Sequence, residues 1–189
     1  MDEDFRLVER FNDGDERAFD ELVSRHYQRV CNILFHSIGA TPGIDDLAQD
    51  VFIKVYDALP TYRGDSTFST WLYRIAVNVG LDEMRRIKRR RIFSFTRAEE
   101  LDAGEEEVRS LASTIRRPDQ ELERKELGEL LQRAMNKLPE KHRIAFVLRE
   151  AEGFTYSEIA EVLKCSIGTV KSRLFHARLK LRRYLKPFI

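Results

Sequence analysis

Cysteine is scarce in this chain of 189 residues: Cys31 and Cys165 are the only two. They lie far apart and fit no metal-ligand or redox spacing. That argues against a disulfide framework and fits a reduced, cytoplasmic setting. Long apolar runs are also lacking. Stretches such as Ile144 to Leu148 are far too short to span a bilayer, and the first thirty residues are too charged for a secretory signal. No direct membrane insertion is expected. The four histidines (His26, His36, His142 and His176) make no ligand spacing, and neither a nucleophile motif nor a phosphate-binding glycine loop is present. No metal, no cofactor and no catalytic residue is therefore expected. Strand-like alternation and internal repeats are missing as well.

One further shortage is local. After Glu161 the chain has no acidic residue, while Lys164, Lys171, Arg173, Arg178, Lys180, Arg182, Arg183 and Lys186 accumulate. A second acid-free stretch follows Glu83 and holds Arg85, Arg86, Lys88, Arg89, Arg90 and Arg91. Between them lie Glu99, Glu100, Asp102, Glu105, Glu106 and Glu107. The net charge is only +1, so two basic blocks point to localised contacts with a polyanion rather than a general affinity. Solvated helix faces are the plainer explanation of either block alone.

What is present is helical periodicity. Phe19, Leu22, Val23, Val30, Ile33 and Leu34 recur at helical spacing after the turn Asn12-Asp13-Gly14-Asp15. A helix is predicted from about Asp45 to Leu59, closed by Pro60, and a long one from about Ser69. The stripe Leu72, Ile75, Val79 continues as Asp82 and Arg86, so the long helix should leave the core and project cations. Helices are also predicted around Leu122–Leu138, from Pro139 to Gly153, over Tyr156–Leu163 and over Ile167–Leu185. The expected class is all-α, with two small helical domains, residues 1–94 and 118–189, joined by a flexible acidic linker, 95–117.

The second domain reads as a helix-turn-helix. Ile159, Ala160 and Leu163 face inward on a short helix, Lys164-Cys165-Ser166 makes the turn, and Val170, Leu174, Ala177 and Leu181 line the next helix. Thr169, Ser172, Phe175 and His176 are then left for base edges, with Ser166, Lys171, Arg173 and Arg178 beside them for the DNA backbone. Phe175 suits either a thymine methyl or packing on a neighbouring turn.

In the first domain, Tyr62, Phe68, Trp71 and Tyr73 surround a Gly-Asp-Ser loop, with Arg63, Arg74, Asn78, Arg85 and Arg86 nearby. Rings beside cations suit single-stranded DNA; each ring alone is better read as core, and only the combination with the cations shifts the balance. Asp46, Gln49, Asp50 and Lys54 lie on or beside a polar helix face, with Phe52 among them in the sequence as a further docking residue. Paired carboxylates can hold a nuclease metal, but no histidine accompanies them, and a protein-docking face is the better reading.

The strings Asp45-Asp-Leu-Ala-Gln-Asp-Val-Phe-Ile-Lys54, Tyr62-Arg-Gly-Asp-Ser-Thr-Phe-Ser-Thr-Trp71 running on to Asn78, Leu138-Pro-Glu-Lys-His-Arg143, Tyr156-Ser-Glu-Ile-Ala160 and Ile167-Gly-Thr-Val-Lys-Ser-Arg173 together resemble the extracytoplasmic-function sigma factors, the smallest members of the sigma-seventy superfamily. The resemblance implies region two and region four domains. It implies docking of Asp46–Lys54 on core RNA polymerase and capture of a flipped minus-ten base by the Tyr62–Trp71 loop. Asn78 to Arg86 would assist that reading, and Thr169–Arg178 would read the minus-thirty-five duplex. It further implies a linker directed at the active-site channel, a stress regulon and restraint by an anti-sigma factor. His176 departs from the arginine frequent in relatives, Lys164-Cys165 from a frequent glycine, and Lys88–Arg91 is more basic than expected. An autonomous helix-turn-helix regulator, a nuclease and a protein-interaction module are the rival readings.

Overall fold

The computed structural model describes residues 3–38, 43–98 and 120–186. Eight α-helices occur among them, and no strand: α1 (Glu3–Asn12), α2 (Glu16–Ile38), α3 (Ile44–Ala58), α4 (Phe68–Ala98), α5 (Gln120–Asn136), α6 (Glu140–Glu150), α7 (Tyr156–Val162) and α8 (Ile167–Leu185). A single 3₁₀ turn, Leu59–Thr61, follows α3 with Pro60 inside it. The acidic stretch Glu99–Glu107 and Pro118 lie outside the described residues. Helix α4 runs past the boundary expected at 94. Nothing in Arg90–Ala98 is glycine or proline, so the helix has no local reason to stop.

The first domain packs α2, α3 and α4 around Leu22, Val30, Ile33, Leu34, Val51, Val55, Phe68 and Leu72, all fully buried. Burying each is worth about 1.5–3 kcal/mol before entropy is subtracted. Helix α1 lies on α2 through Leu7 and Val8. Phe5, Leu7, Val8 and Phe11 recur at helical spacing along it, a stripe the sequence reasoning above does not use.

In the second domain α6, α7 and α8 close around Ile144, Leu148, Ile159, Val170 and Leu174. Two caps fix the helix-turn-helix. Thr155 and Glu158 form a reciprocal capping box at the start of α7. Ser166 Oγ accepts the Thr169 amide at 3.1 Å to start α8. Between them Lys164 takes φ 46, the left-handed turn conformation.

The two domains meet along a seam. They share a core: α6 packs on α2 and α7 on α4. Phe154, buried, sets its ring 5.4 Å from that of Tyr73. Around this contact Arg29 faces Glu152 at 3.8 Å, Arg74 faces Glu161 at 3.9 Å, and His36 Nδ1 meets Gln132 Oε1 at 3.3 Å. Arg143, buried, reaches across to Met84 Sδ at 3.7 Å. The physical reason is simple. Each domain leaves apolar surface on its seam side, and one chain holds both at high effective concentration.

Candidate nucleic-acid interface

Helix α8 presents the face its periodicity promised. Val170, Leu174, Ala177 and Leu181 are buried, so Lys171, Ser172, Phe175, His176 and Arg178 project outward. Phe175 is 62% exposed, with its ring 5.4 Å from that of His176. Apart from that neighbouring ring it stands out from its domain. Thr169 and Arg173 are half-buried. The Ser166 and Thr169 hydroxyls are 2.9 Å apart and partly spent on the cap, and Arg173 Nη1 lies 3.4 Å from Cys165 Sγ. Arg178 is engaged by Glu150, which raises its affinity for its proton. Beside this outward face stands His142, 6.2 Å from His176 between ring centroids. Burial, together with Lys180, His176 and Arg173, pushes the His142 pKa down.

The loop between the 3₁₀ turn and α4 is a hoop. Tyr62 OH donates to Ser66 O at 2.6 Å across it, Gly64 takes φ 75 at its bend, and Thr67 Oγ1 accepts the Thr70 amide at 3.2 Å where α4 begins. Arg63, Gly64, Asp65 and Thr67 are exposed.

The rings lie beneath the hoop and not on its rim. Phe68 and Tyr73 are fully buried and Trp71 nearly so; Tyr62 is half-buried. Phe68 and Tyr73 therefore cannot stack on a base in this conformation, and the expectation that they touch single-stranded DNA is corrected. They are core. Helix α4 is covered by α2 on one side and α7 on the other, so its buried arc is wider than a single stripe. Burial drives the Tyr73 pKa up to about 12. Trp71 packs 5.2 Å from Tyr62 and 5.9 Å from Phe68, a pedestal for the loop.

Beyond the loop, α4 leaves the core as expected. Arg74, half-buried, Asn78 and Arg85, both exposed, recur at i, i+4 and i+11 on one side. Arg85 pairs with Asp82 at 2.6 Å and Arg86 with Glu83 at 2.6 Å. Such surface pairs are worth little and yield readily to phosphate.

On α3, Asp46, Gln49, Asp50 and Lys54 are exposed together, while Phe52 is buried against Tyr27, 6.1 Å away and stacked. Phe52 thus supports this face from below, a correction to its expected direct role; only its edge reaches the surface. Exposed apolar residues beside this face are a further feature, one the sequence reasoning missed. Ile53 is 60% exposed, and Tyr56 joins Phe11 and Phe19 in edge-to-face contacts of 5.1 Å. With Phe19, Gln49, Phe52 and Asp57 they line a shallow apolar cleft beside the carboxylates. The signal was available: Ile53 and Tyr56 stand three apart, off the buried stripe Leu47, Val51, Val55.

Among the described residues no group of three or more His, Cys, Asp or Glu could hold a metal ion, and no helix is long and apolar enough to cross a membrane. Two family profiles match: "Sigma-70 region 2" over residues 22–91 and "Sigma-70, region 4" over residues 128–181. The chain belongs to the sigma-70 family of RNA polymerase sigma factors. The RNA polymerase sigma-H factor of Pseudomonas aeruginosa is 37% identical over 100% of this chain and 97% of its own length. The ECF RNA polymerase sigma-E factor of Escherichia coli K12 is 38% identical over 97% of this chain and 94% of its own. Among solved structures, CnrH in complex with the cytosolic domain of CnrY is similar with a TM-score of 0.70 and 27% identity, covering 98% of this chain and 99% of that one. The two matched segments of this sigma factor contain the hoop with the basic half of α4, and the helix-turn-helix.

Proposed function

We propose that this sigma factor directs core RNA polymerase to its promoters by dividing the work among three surfaces, and acts as an initiation factor without catalytic chemistry of its own. Helix α8 grips the minus-thirty-five element as duplex. The 63–67 hoop captures an unstacked base of the minus-ten element, with Asn78, Arg85 and Arg86 holding the strand. The acidic face and apolar cleft of α3 dock on core polymerase. The observation that carries the reading is the hoop: an exposed, braced loop at the foot of a basic helix, which a duplex-only regulator does not need.

Magnitudes favour a subunit over an autonomous melting protein. Opening about ten base pairs costs on the order of 14 kcal/mol at about 1.4 kcal/mol per step. Capturing one base returns only ~1–3 kcal/mol. The hoop selects where melting starts, and the polymerase supplies the rest.

The closed seam supports a second element, restraint. Minus-thirty-five and minus-ten elements lie about twenty-five base pairs apart, on the order of 85 Å of duplex. A compact chain of this length is on the order of 40 Å across. The packed domains cannot reach both, so the seam opens on promoter engagement. Likeness of the whole chain to CnrH, solved in complex with the cytosolic domain of CnrY, supports reading the closed form as the restrained one, with an anti-sigma factor as the restraining partner.

Permanganate footprinting tests the reading. With core enzyme and promoter DNA, wild-type protein should make minus-ten thymines reactive, and Arg63→Ala should slow that reactivity while leaving core affinity intact. Equal rates would contradict it.

A further inference from the structure

We infer that α1, which lies outside the matched family segments, is a working part of the strand-capture loop, and that Phe5 is the positioning residue through which it acts. The inference rests on the strand-capture reading above and names a component that reading does not include.

The contact is intimate. A Cβ built on Gly64 would lie 2.8 Å from Phe5 Cε2, closer than real Cβ atoms come. Gly64 is thus required twice: for its φ of 75, and for the space that the Phe5 ring occupies beneath the bend. The same ring lies 6.3 Å from that of Tyr62, whose hydroxyl spans the hoop to Ser66 O. Phe5 therefore closes the underside of the loop at the bend and at its first residue.

Phe5 is itself held. Asp4 accepts from His26 Nε2 at 2.8 Å and from Arg25 at 3.4 Å, and Arg25 also pairs with Glu3 at 3.0 Å. His26 is buried, edge-on to Phe68 at 5.3 Å and within 3.4 Å of Tyr73 OH. The first turn of α1 is thereby tied to the rings that form the loop's pedestal. A loop that must hold a base in one geometry gains from such bracing, because the ordering cost is met before DNA arrives.

The test uses holoenzyme assembled from core polymerase and full-length protein, with Phe5→Ala, Phe5→Leu and Arg63→Ala compared to wild type. The readouts are the rate of minus-ten opening, affinity for core, and affinity for minus-thirty-five duplex. Phe5→Ala should slow opening about tenfold, the worth of one lost ring contact, with both affinities unchanged. Phe5→Leu should restore most of the rate, since it refills the space under Gly64. A purely structural role would instead lower core affinity along with the rate, and that result overturns the inference. So does a wild-type opening rate in Phe5→Ala. If Arg63→Ala is slow while Phe5→Ala is not, only the role of α1 falls. If neither is slowed, the strand-capture reading falls with it. Should Phe5→Ala unfold, Phe5→Leu decides the matter: opening slowed no more than about threefold with normal affinities supports the inference, and opening slowed in step with core affinity overturns it.

Discussion

Glu152 of the second domain lies 3.8 Å from Arg29 of the first, with its side chain only 6% exposed. This carboxyl is buried by the seam, and burial raises its pKa above the ordinary 4.5, while Arg29 and His36 pull weakly the other way. Opening the seam returns the group to water and to its ordinary value. The closed form therefore binds the proton more tightly, and acidification favours closure. That stabilisation is complete below the ordinary pKa and is lost as pH rises through the raised one. Distance labels on the two domains should report more closed protein as pH falls, and Glu152→Gln should remove the carboxyl's share of the dependence. An unaltered pH profile in Glu152→Gln would refute this.

Phe68 is core, so its truncation should act on stability. Phe68→Ala should cost about 3–5 kcal/mol, enough to unfold a marginal domain. Thermal unfolding by circular dichroism checks this directly. A variant of wild-type stability that is nonetheless slow to open promoters would restore Phe68 to the DNA-contacting set.

The cleft on α3 should be a docking hot spot. Ile53→Asp places a charge where an exposed apolar side chain meets its partner, and should weaken core polymerase binding by about 2 kcal/mol, roughly thirtyfold. Since Ile53 is exposed, the unfolding temperature should stay unchanged. Competition binding against wild type measures the loss; equal affinity would remove the cleft from the interface.

Phe175→Ala should weaken binding to the minus-thirty-five duplex by about 1–3 kcal/mol, and preferentially at sites carrying thymine. Its 62% exposure makes a folding defect small. A uniform loss across all duplex sequences would mean that Phe175 shapes the helix rather than reads a base.

His142 supplies a prediction of opposite sign to Glu152. Its folded-state pKa is depressed, so the unfolded chain takes up the proton first. Stability should fall as pH drops below about 6.5 and on through the depressed value. His142→Gln should flatten that limb of the thermal stability profile, and an unchanged slope would contradict the assignment.

How far the sequence carried these conclusions varies by element. Helix α8 was legible for most of its face, because one buried stripe with an exposed opposite face fixes which residues project, but the cap at Ser166 and the neighbouring Cys165 engage the half-buried Thr169 and Arg173. The loop between Tyr62 and Trp71 was legible as a site, but the direction of its rings was not. Helical spacing tells which residues share a face, and α4 is buried on more than one. Hence Phe68 and Tyr73 lie in the core, against expectation, while Asn78 and Arg85 are exposed. Phe5 belongs to an apolar stripe with Val8 and Phe11 that marks a helix, but nothing in that stripe gives its role. Its meaning depends on Gly64, fifty-nine residues later, and on a contact that periodicity cannot register. The seam was equally hidden: Glu152 and Phe154 sit in a short turn that reads as mere connection until Arg29 and Tyr73 are found opposite.

On the proposed division of work, this chain confers start-site choice on core RNA polymerase through separable duplex and single-strand contacts. Transcription from a promoter library with purified core and this protein measures it most directly. Discrete start sites sharing two spaced elements are expected, with Phe175→Ala relaxing the upstream element and Arg63→Ala impairing opening at all of them. Core enzyme that initiates identically with and without the protein would contradict it.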